Sequence, residues 1–296
     1  MPRSERRSGA PNWQCVMFLW GDKYDVALVN RLIRAVSGHA ATQPRFVLLS
    51  DRDRPGLDPR AVLRRIPEFW LDPQFKGPGC QTKLAMFQEG VLDDDLPALY
   101  IDLDTVVTGD LTRILARLPR PDGLMLLQSA ILPLGAVGRI FWHLSKHKRY
   151  ARGNSSLVAF HPKYHKSIAA QFIELWSEKP EFWFRPMIAD ERFMSWASQA
   201  TVAAIPDSLA VKFPTEFMSR INALSYLWAV LPWVRARRAG LIAVTLCGVE
   251  IKPEELLAMP EGGRVTDPKG RTLIWSDFIL GKTRRDIIAF YSKGAP

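Results

Sequence analysis

The sequence predicts an α/β chain with a mostly parallel central sheet flanked by helices, and three observations carry that expectation. Cys15 to Trp20 is a continuous apolar and aromatic run, the pattern of a buried strand. Val29, Leu32, Ile33 and Val36 then fall at i, i+3, i+4 and i+7, which places them on one face of a helix. Phe46 to Ser50 is a second apolar run, so strand, helix and strand form a βαβ unit whose strands lie parallel.

Each element has a local reason. Gly21-Asp22 ends the first strand, Gly38 is placed to stop the helix, and Asp51 to Gly56 closes the second strand in a turn. Leu57 to Gly79, rich in proline and arginine, reads as loop, and Gln81 to Glu89 reads as helix. Leu99 to Val107 is an apolar strand interrupted by Asp102 and Asp104, followed by a short helix around Leu111 to Leu118. Further strands are expected at Leu124 to Leu127, Ser155 to Phe160 and Val202 to Ile205. Helices are expected over Tyr164 to Ser177 and Asp190 to Ser198. Beyond about residue 215 the pattern changes to an apolar, aromatic stretch, Phe217 to Val234, followed at once by Arg235, Arg237 and Arg238. The organisation read from this is a flexible basic N-terminus over residues 1–13 with Arg3, Arg6 and Arg7, a main domain over 14–214, and a helical C-terminal lobe over 215–296 that faces acceptor or membrane.

With 47% hydrophobic and 24% charged residues the chain is globular, and its 296 residues suffice for a full core. A formal charge of +10 and a pI near 9.7 favour anionic partners. The three cysteines are far apart without paired spacing, so neither a disulfide scaffold nor a zinc site is indicated, and a reducing, cytoplasmic setting is expected. No apolar run is long enough for a signal sequence or a membrane span. His143 with His147 and His161 with His165 have helical zinc spacing, but Pro162 and the surrounding bases favour structural roles. Ser155 and Ser156 lack any setting of an activated nucleophile.

Chemistry concentrates at Asp102-Leu103-Asp104. In an extended chain, residues two apart share a side, so both carboxylates can face one hard cation such as Mg²⁺ or Mn²⁺. Such an ion neutralises charge developing on a leaving diphosphate. The bland alternative is a strand that ends at solvent, but apolar flanks make unpartnered aspartates costly there.

These residues belong to an ordered set that resembles the bacterial GT-A glycosyltransferases, in particular the family-8-like group. Trp20-Gly21-Asp22-Lys23-Tyr24 with Asn30-Arg31-Leu32 is similar to the group's first strand and helix, and Phe46 to Asp51 to its second strand. Lys83 to Phe87 resembles its lysine-bearing helix, Tyr100 to Leu111 its metal-binding DxD strand, and Asn154 to Phe160 the strand beside the donor sugar. The likeness spans about residues 14 to 210. It implies a GT-A-like fold, a nucleotide-sugar donor, and Mn²⁺ or Mg²⁺ held by Asp102 and Asp104. It further implies Trp20, Gly21 and Asp51 by the nucleotide, Lys83 at the phosphates or sugar, and Asn154 and Ser155 at the sugar pocket.

Two departures stand out. Where the group has Asp-Gln-Asp, this chain has Asp190-Glu191-Arg192, so Asp190 and Glu191 become the candidates for orienting the sugar or for catalysis. Where the group carries a C-terminal metal-binding histidine, this chain has Asp277-Phe278-Ile279-Leu280-Gly281-Lys282, which makes Asp277 the candidate third metal ligand.

The reading is therefore a metal-dependent glycosyltransferase acting on a glycan, lipid-linked or protein acceptor. Nucleotidyl transfer is disfavoured because no glycine-rich basic loop follows the first strand, and a catalytically degenerate sugar- or membrane-binding protein of the same fold is the alternative. The basic clusters Lys146 to Arg152 and Arg235 to Arg238, the latter ending an aromatic helix that contains Tyr226, Trp228 and Trp233, with the apolar Ile131 to Trp142, leave two readings open: solvated faces, or a peripheral contact with an anionic membrane surface. Nucleic acid is a less favoured partner, since no recognition module accompanies the charge.

Overall fold

The computed structural model describes residues 10–129, 132–248 and 251–292; Arg3, Arg6, Arg7 and Ile131 lie outside the described residues. In chain order the strands are β1 (Gln14–Leu19), β2 (Arg45–Ser50), β3 (Ala61–Arg65), β4 (Ala98–Ile101), β5 (Thr105–Val107), β6 (Leu124–Gln128), β7 (Gly153–Phe160), β8 (Val202–Ile205), β9 (Ala210–Lys212), β10 (Ala243–Thr245), β11 (Gly263–Thr266) and β12 (Thr272–Trp275). The central sheet has the order β3-β2-β1-β4-β7-β6-β8. Its neighbours pair in parallel except at β7, which runs antiparallel to both β4 and β6.

Side chains alternate across this sheet, and the alternation sorts the core into two layers. Cys15, Met17, Leu19, Leu48, Leu99 and Ile101 pack on one side with Val29, Leu32, Ile33 and Val36 of the helix Val26–His39. Val16, Phe18, Val47, Leu49 and Tyr100 pack on the other with Leu84 to Phe87 and with Ile168, Phe172 and Trp176 of the helix Pro162–Glu178. The Asp25 carboxylate caps the first helix by accepting from the Ala27 N–H. Gly38 does not stop that helix, which runs on to His39.

Four local expectations change. β3 forms inside the segment read as loop, as a half-exposed outer strand whose Arg64 pairs with Asp93 at 2.7 Å and Arg65 with Asp53 at 2.9 Å. Gln81–Phe87 is a fully buried 3-10 segment rather than an α-helix, and it starts from Cys80 at φ 51°. The expected single strand Leu99 to Val107 breaks after Ile101, where the Thr105 N–H donates to the Asp102 carbonyl at 3.1 Å and β5 departs into a second sheet. Phe217 to Val234 is no single helix: Phe213–Phe217, Asn222–Val230 and Pro232–Ala239 follow one another, and Pro232, lacking an N–H, starts the last.

The residues after 214 are mostly helical, joined by β10 and the hairpin β11–β12. β10 inserts between β5 and β9, antiparallel to the first and parallel to the second. The strand order of the central sheet reverses between β1 and β4. A crevice at the carboxyl ends of strands flanking such a switch point is where open α/β sheets bind ligands, and here those ends carry Trp20 and Asp102.

Candidate functional site

At that switch point lies a cavity of about 630 Å³, within the range of small-molecule sites. Phe18, Trp20, Tyr24, Tyr100 and Leu103 give it an apolar, aromatic wall; Lys23, Lys76, Lys83 and Lys252 give it positive charge; Asp102 and Asp104 both open onto it. The two aspartates share the cavity because of the turn between β4 and β5. Strand alternation is not the reason, since Leu103 lines the same space.

The two carboxylates differ in their partners. The Asp102 Oδ1 accepts from the Lys83 ammonium at 2.6 Å and from the Tyr100 hydroxyl. The Asp104 Oδ1 is buried with no hydrogen-bond partner, while its backbone carbonyl accepts from the Leu246 N–H at 2.9 Å. Burial, with Asp102 alongside, pushes the Asp104 carboxyl up to about 6. A buried carboxylate oxygen without a donor is what a cation would satisfy. Among the described residues, no cluster of three or more His, Cys, Asp or Glu side chains is gathered to hold a metal ion. Two carboxylates nonetheless fit Mg²⁺ or Mn²⁺, because such ions retain waters and take their remaining oxygens from substrate phosphates.

Lys83 joins this cavity to a second, buried cluster. Burial opposes its charge, but Asp102 above all, with Tyr100 and Asp190, holds its pKa well above the ordinary lysine value. Its ammonium is 4.0 Å from the Asp190 Oδ2, which also accepts from the Ser155 hydroxyl at 2.7 Å. Burial pushes the Asp190 carboxyl up to about 7, against the opposing pull of Lys83 and Ser155. The Asn154 amide donates to the Glu191 Oε2 at 2.9 Å, so the start of β7 and the first turn of the helix Asp190–Ala197 are laced together. Of the residues expected at the sugar, then, Asn154, Ser155, Asp190 and Glu191 form one constellation behind Lys83, and none of them lines the cavity wall.

That constellation is anchored by a close backbone approach. The Asp190 N–H donates to the Gly79 carbonyl at 2.8 Å, and a Cβ on Gly79 would stand 2.4 Å from the Ile188 carbonyl oxygen. The loop before Lys83 and the helix bearing Asp190 therefore meet where only glycine fits.

Trp20 lines the cavity, whereas Gly21 and Asp51 sit beside it: the Gly21 N–H donates to the Asp51 Oδ2 at 3.1 Å. Arg54, which the sequence did not single out, bonds the Asp51 Oδ1 at 2.6 Å and the carbonyls of Leu19 and Gly21 at 3.1 Å. Although burial pushes the Asp51 carboxyl up, the Gly21 N–H, Arg54 and Arg52 outweigh it and hold it below the ordinary value.

Asp277 is not brought to Asp102 and Asp104. Its carboxylate faces Arg284 at 3.3 Å and Arg285 at 3.5 Å, and it lines a separate cavity with Phe278, Lys282 and Arg238. The place expected for it is held by Cys247, Gly248 and Lys252. Cys247-Gly248 follows β10, the strand that pairs with β5. The one signal for this was the short apolar run ahead of Cys247, whose pairing no local pattern reveals.

No protein-family model matches the chain, and no curated protein does. Solved structures do. The galactosyltransferase LgtC in complex with donor and acceptor sugar analogues superposes with a TM-score of 0.51 at 16% identity, over 81% of this chain and 88% of that one. An active-site mutant of LgtC gives 0.55 at 14% identity, over 96% and 97%. The bifunctional glycosyltransferase WbbM gives 0.58 at 12% identity, over 97% of this chain and 50% of WbbM. The chain has the GT-A-like fold of these glycosyltransferases. In this GT-A-like chain the Asp102–Asp104 turn, Lys83 and Lys252 surround one crevice.

Proposed function

We propose that the chain is a glycosyltransferase that takes a sugar from a nucleoside-diphosphate donor, with Mn²⁺ or Mg²⁺ at Asp102 and Asp104, and passes it to a glycan, lipid-linked or protein acceptor. The observation that carries this reading is the convergence of the unpartnered Asp104 Oδ1, Asp102 and four lysines on one aromatic-walled cavity at the switch point of a GT-A-like sheet. Trp20 and Tyr24 offer flat faces to a base, and Lys23, Lys76 and Lys252 offer charge to a diphosphate. The divalent ion, when bound, would neutralise charge on the departing diphosphate. Lys83, fixed between Asp102 and Asp190, keeps a full positive charge at the inner end of the cavity. The Ser155 hydroxyl and the Glu191 N–H hold the Asp190 carboxylate behind Lys83, and Asn154 holds Glu191, so on this reading Asp190 acts by positioning Lys83.

A ligand that binds only the folded state must raise its stability. Thermal unfolding against a panel of nucleoside diphosphates, with and without Mn²⁺, should therefore show a metal-dependent rise for one base that disappears in Asp104→Ala. A panel without any rise overturns the reading and favours a binding protein of the same fold.

A further inference from the structure

We propose that the helix Ala136–Leu144 and the basic turn after it form a docking face for an anionic phospholipid bilayer. The proposal goes beyond the transferase reading and stands without it.

Val137, Ile140, Phe141 and Leu144 fall at i, i+3, i+4 and i+7, the face that a globular helix normally buries, yet they are 46%, 57%, 47% and 77% exposed. The opposite face is the one seated on protein. A Cβ at Gly138 would stand 2.7 Å from the Ala151 Cβ and 2.7 Å from the Pro133 carbonyl oxygen, and Trp142 stacks on His147 at 4.1 Å between ring centres. The helix is thus seated on the protein at Gly138, and Trp142 ties it to the turn that follows, while its aliphatic side points away.

Charge decides the occupant. No Asp or Glu occurs between Asp122 and Glu174, whereas Arg139, Lys146, Lys148, Arg149 and Arg152 all lie in that stretch. Lys146, Lys148 and Arg149 are exposed, and among the described residues none of them enters an ion pair. Elsewhere arginines are engaged: Arg45 with Asp93 and Asp95, Arg64 with Asp93, Arg237 and Arg238 with Glu216. The last two were expected among the lipid-facing charges, and they turn inward instead, Arg238 lying buried over the Phe217 ring. A second copy would bring the same positive turn against this one, so self-pairing is disfavoured. An apolar stripe flanked by unpaired bases is complementary to acyl chains beneath anionic headgroups. Among the described residues no helix is long and apolar enough to cross a membrane, which suits a face that lies on the bilayer.

The test is co-sedimentation of the full chain with vesicles of phosphatidylcholine alone, or of phosphatidylcholine mixed with phosphatidylglycerol. The chain should pellet with the mixed vesicles only. The triple change Lys146→Gln, Lys148→Gln, Arg149→Gln should weaken that binding roughly 100-fold, the equivalent of about 1 kcal/mol for each charge. Ile140→Asp with Leu144→Asp should abolish it while thermal unfolding stays as in the wild type. Should the paired variant misfold, Leu144→Trp supplies a second readout, a blue shift of its emission on adding mixed vesicles. Equal binding to both vesicle types, no binding, or no blue shift overturns the proposal. So does a lipid-free dimer that Leu144→Asp dissociates.

Discussion

The Lys83 ammonium lies 2.6 Å from the Asp102 Oδ1 and is almost wholly buried, so the cavity carboxylate and its counter-charge form a single unit. The same ammonium reaches Asp190, 4.0 Å away on the other side. Removing one member of a buried pair leaves an uncompensated charge and costs about 3–5 kcal/mol. Lys83→Ala should lose stability of that order in urea unfolding at pH 8. Its deficit should shrink at pH 5, where Asp190 is neutral; an equal deficit at both values would show that lost packing, and not charge, is responsible.

Asp190 titrates near 7 when folded, far above an unfolded aspartate near 4. The folded state therefore binds more protons than the unfolded one between about pH 4 and pH 7, and the contribution of this group to stability falls as pH rises through that window. Asp190→Asn should accordingly unfold at a higher temperature than the wild type at pH 8, and the difference should vanish near pH 4. Parallel stability curves for the two proteins would contradict the buried environment described for Asp190.

Asp104 carries a desolvated carboxylate with an oxygen left unpartnered. Asp104→Asn should fold at least as well as the wild type without ligands, yet lose the Mn²⁺-dependent shift with nucleotide. In the wild type, Mn²⁺ affinity should fall about tenfold per unit below pH 6 as the carboxyl takes up its proton. Isothermal titration at several pH values checks this, and a flat profile would remove Asp104 from the ligand set.

Gly79→Ala places a methyl group against the Ile188 carbonyl and Gln81 side chain, where displacement costs about 1–3 kcal/mol. Because the Gly79 carbonyl also accepts from the Asp190 N–H, the change should disturb the cluster around Asp190 as well as the fold. Amide exchange at Asp190 should quicken in this variant; unchanged exchange would uncouple the loop from the cluster.

The central sheet was legible in the sequence because β1, β2, β4 and β6 carry continuous apolar runs and β7 ends in one, Leu157 to Phe160, each short enough for a buried strand. β3 was not, since its Arg64 and Arg65 depend on Asp93 and Asp53 from elsewhere. The same divide runs through the site. Asp102, Asp104 and Lys83 announce themselves as charges set in apolar segments. Cys247 and Lys252 become site residues only through the pairing of β10 with β5, and Asp277 looked suitable until Arg284 and Arg285 were seen to face it.

That pairing also bears on the order in which the molecule can be assembled. The Asp102–Asp104 turn leaves the ribosome well before β10, yet the Leu246 N–H holds the Asp104 carbonyl and β10 is the strand hydrogen-bonded to β5. A nascent chain that has released every residue up to β9 still has an unbraced acidic turn. The part of the crevice wall that Cys247, Gly248 and Lys252 contribute can form only after that, so the two aspartates are made long before the surroundings that enclose them.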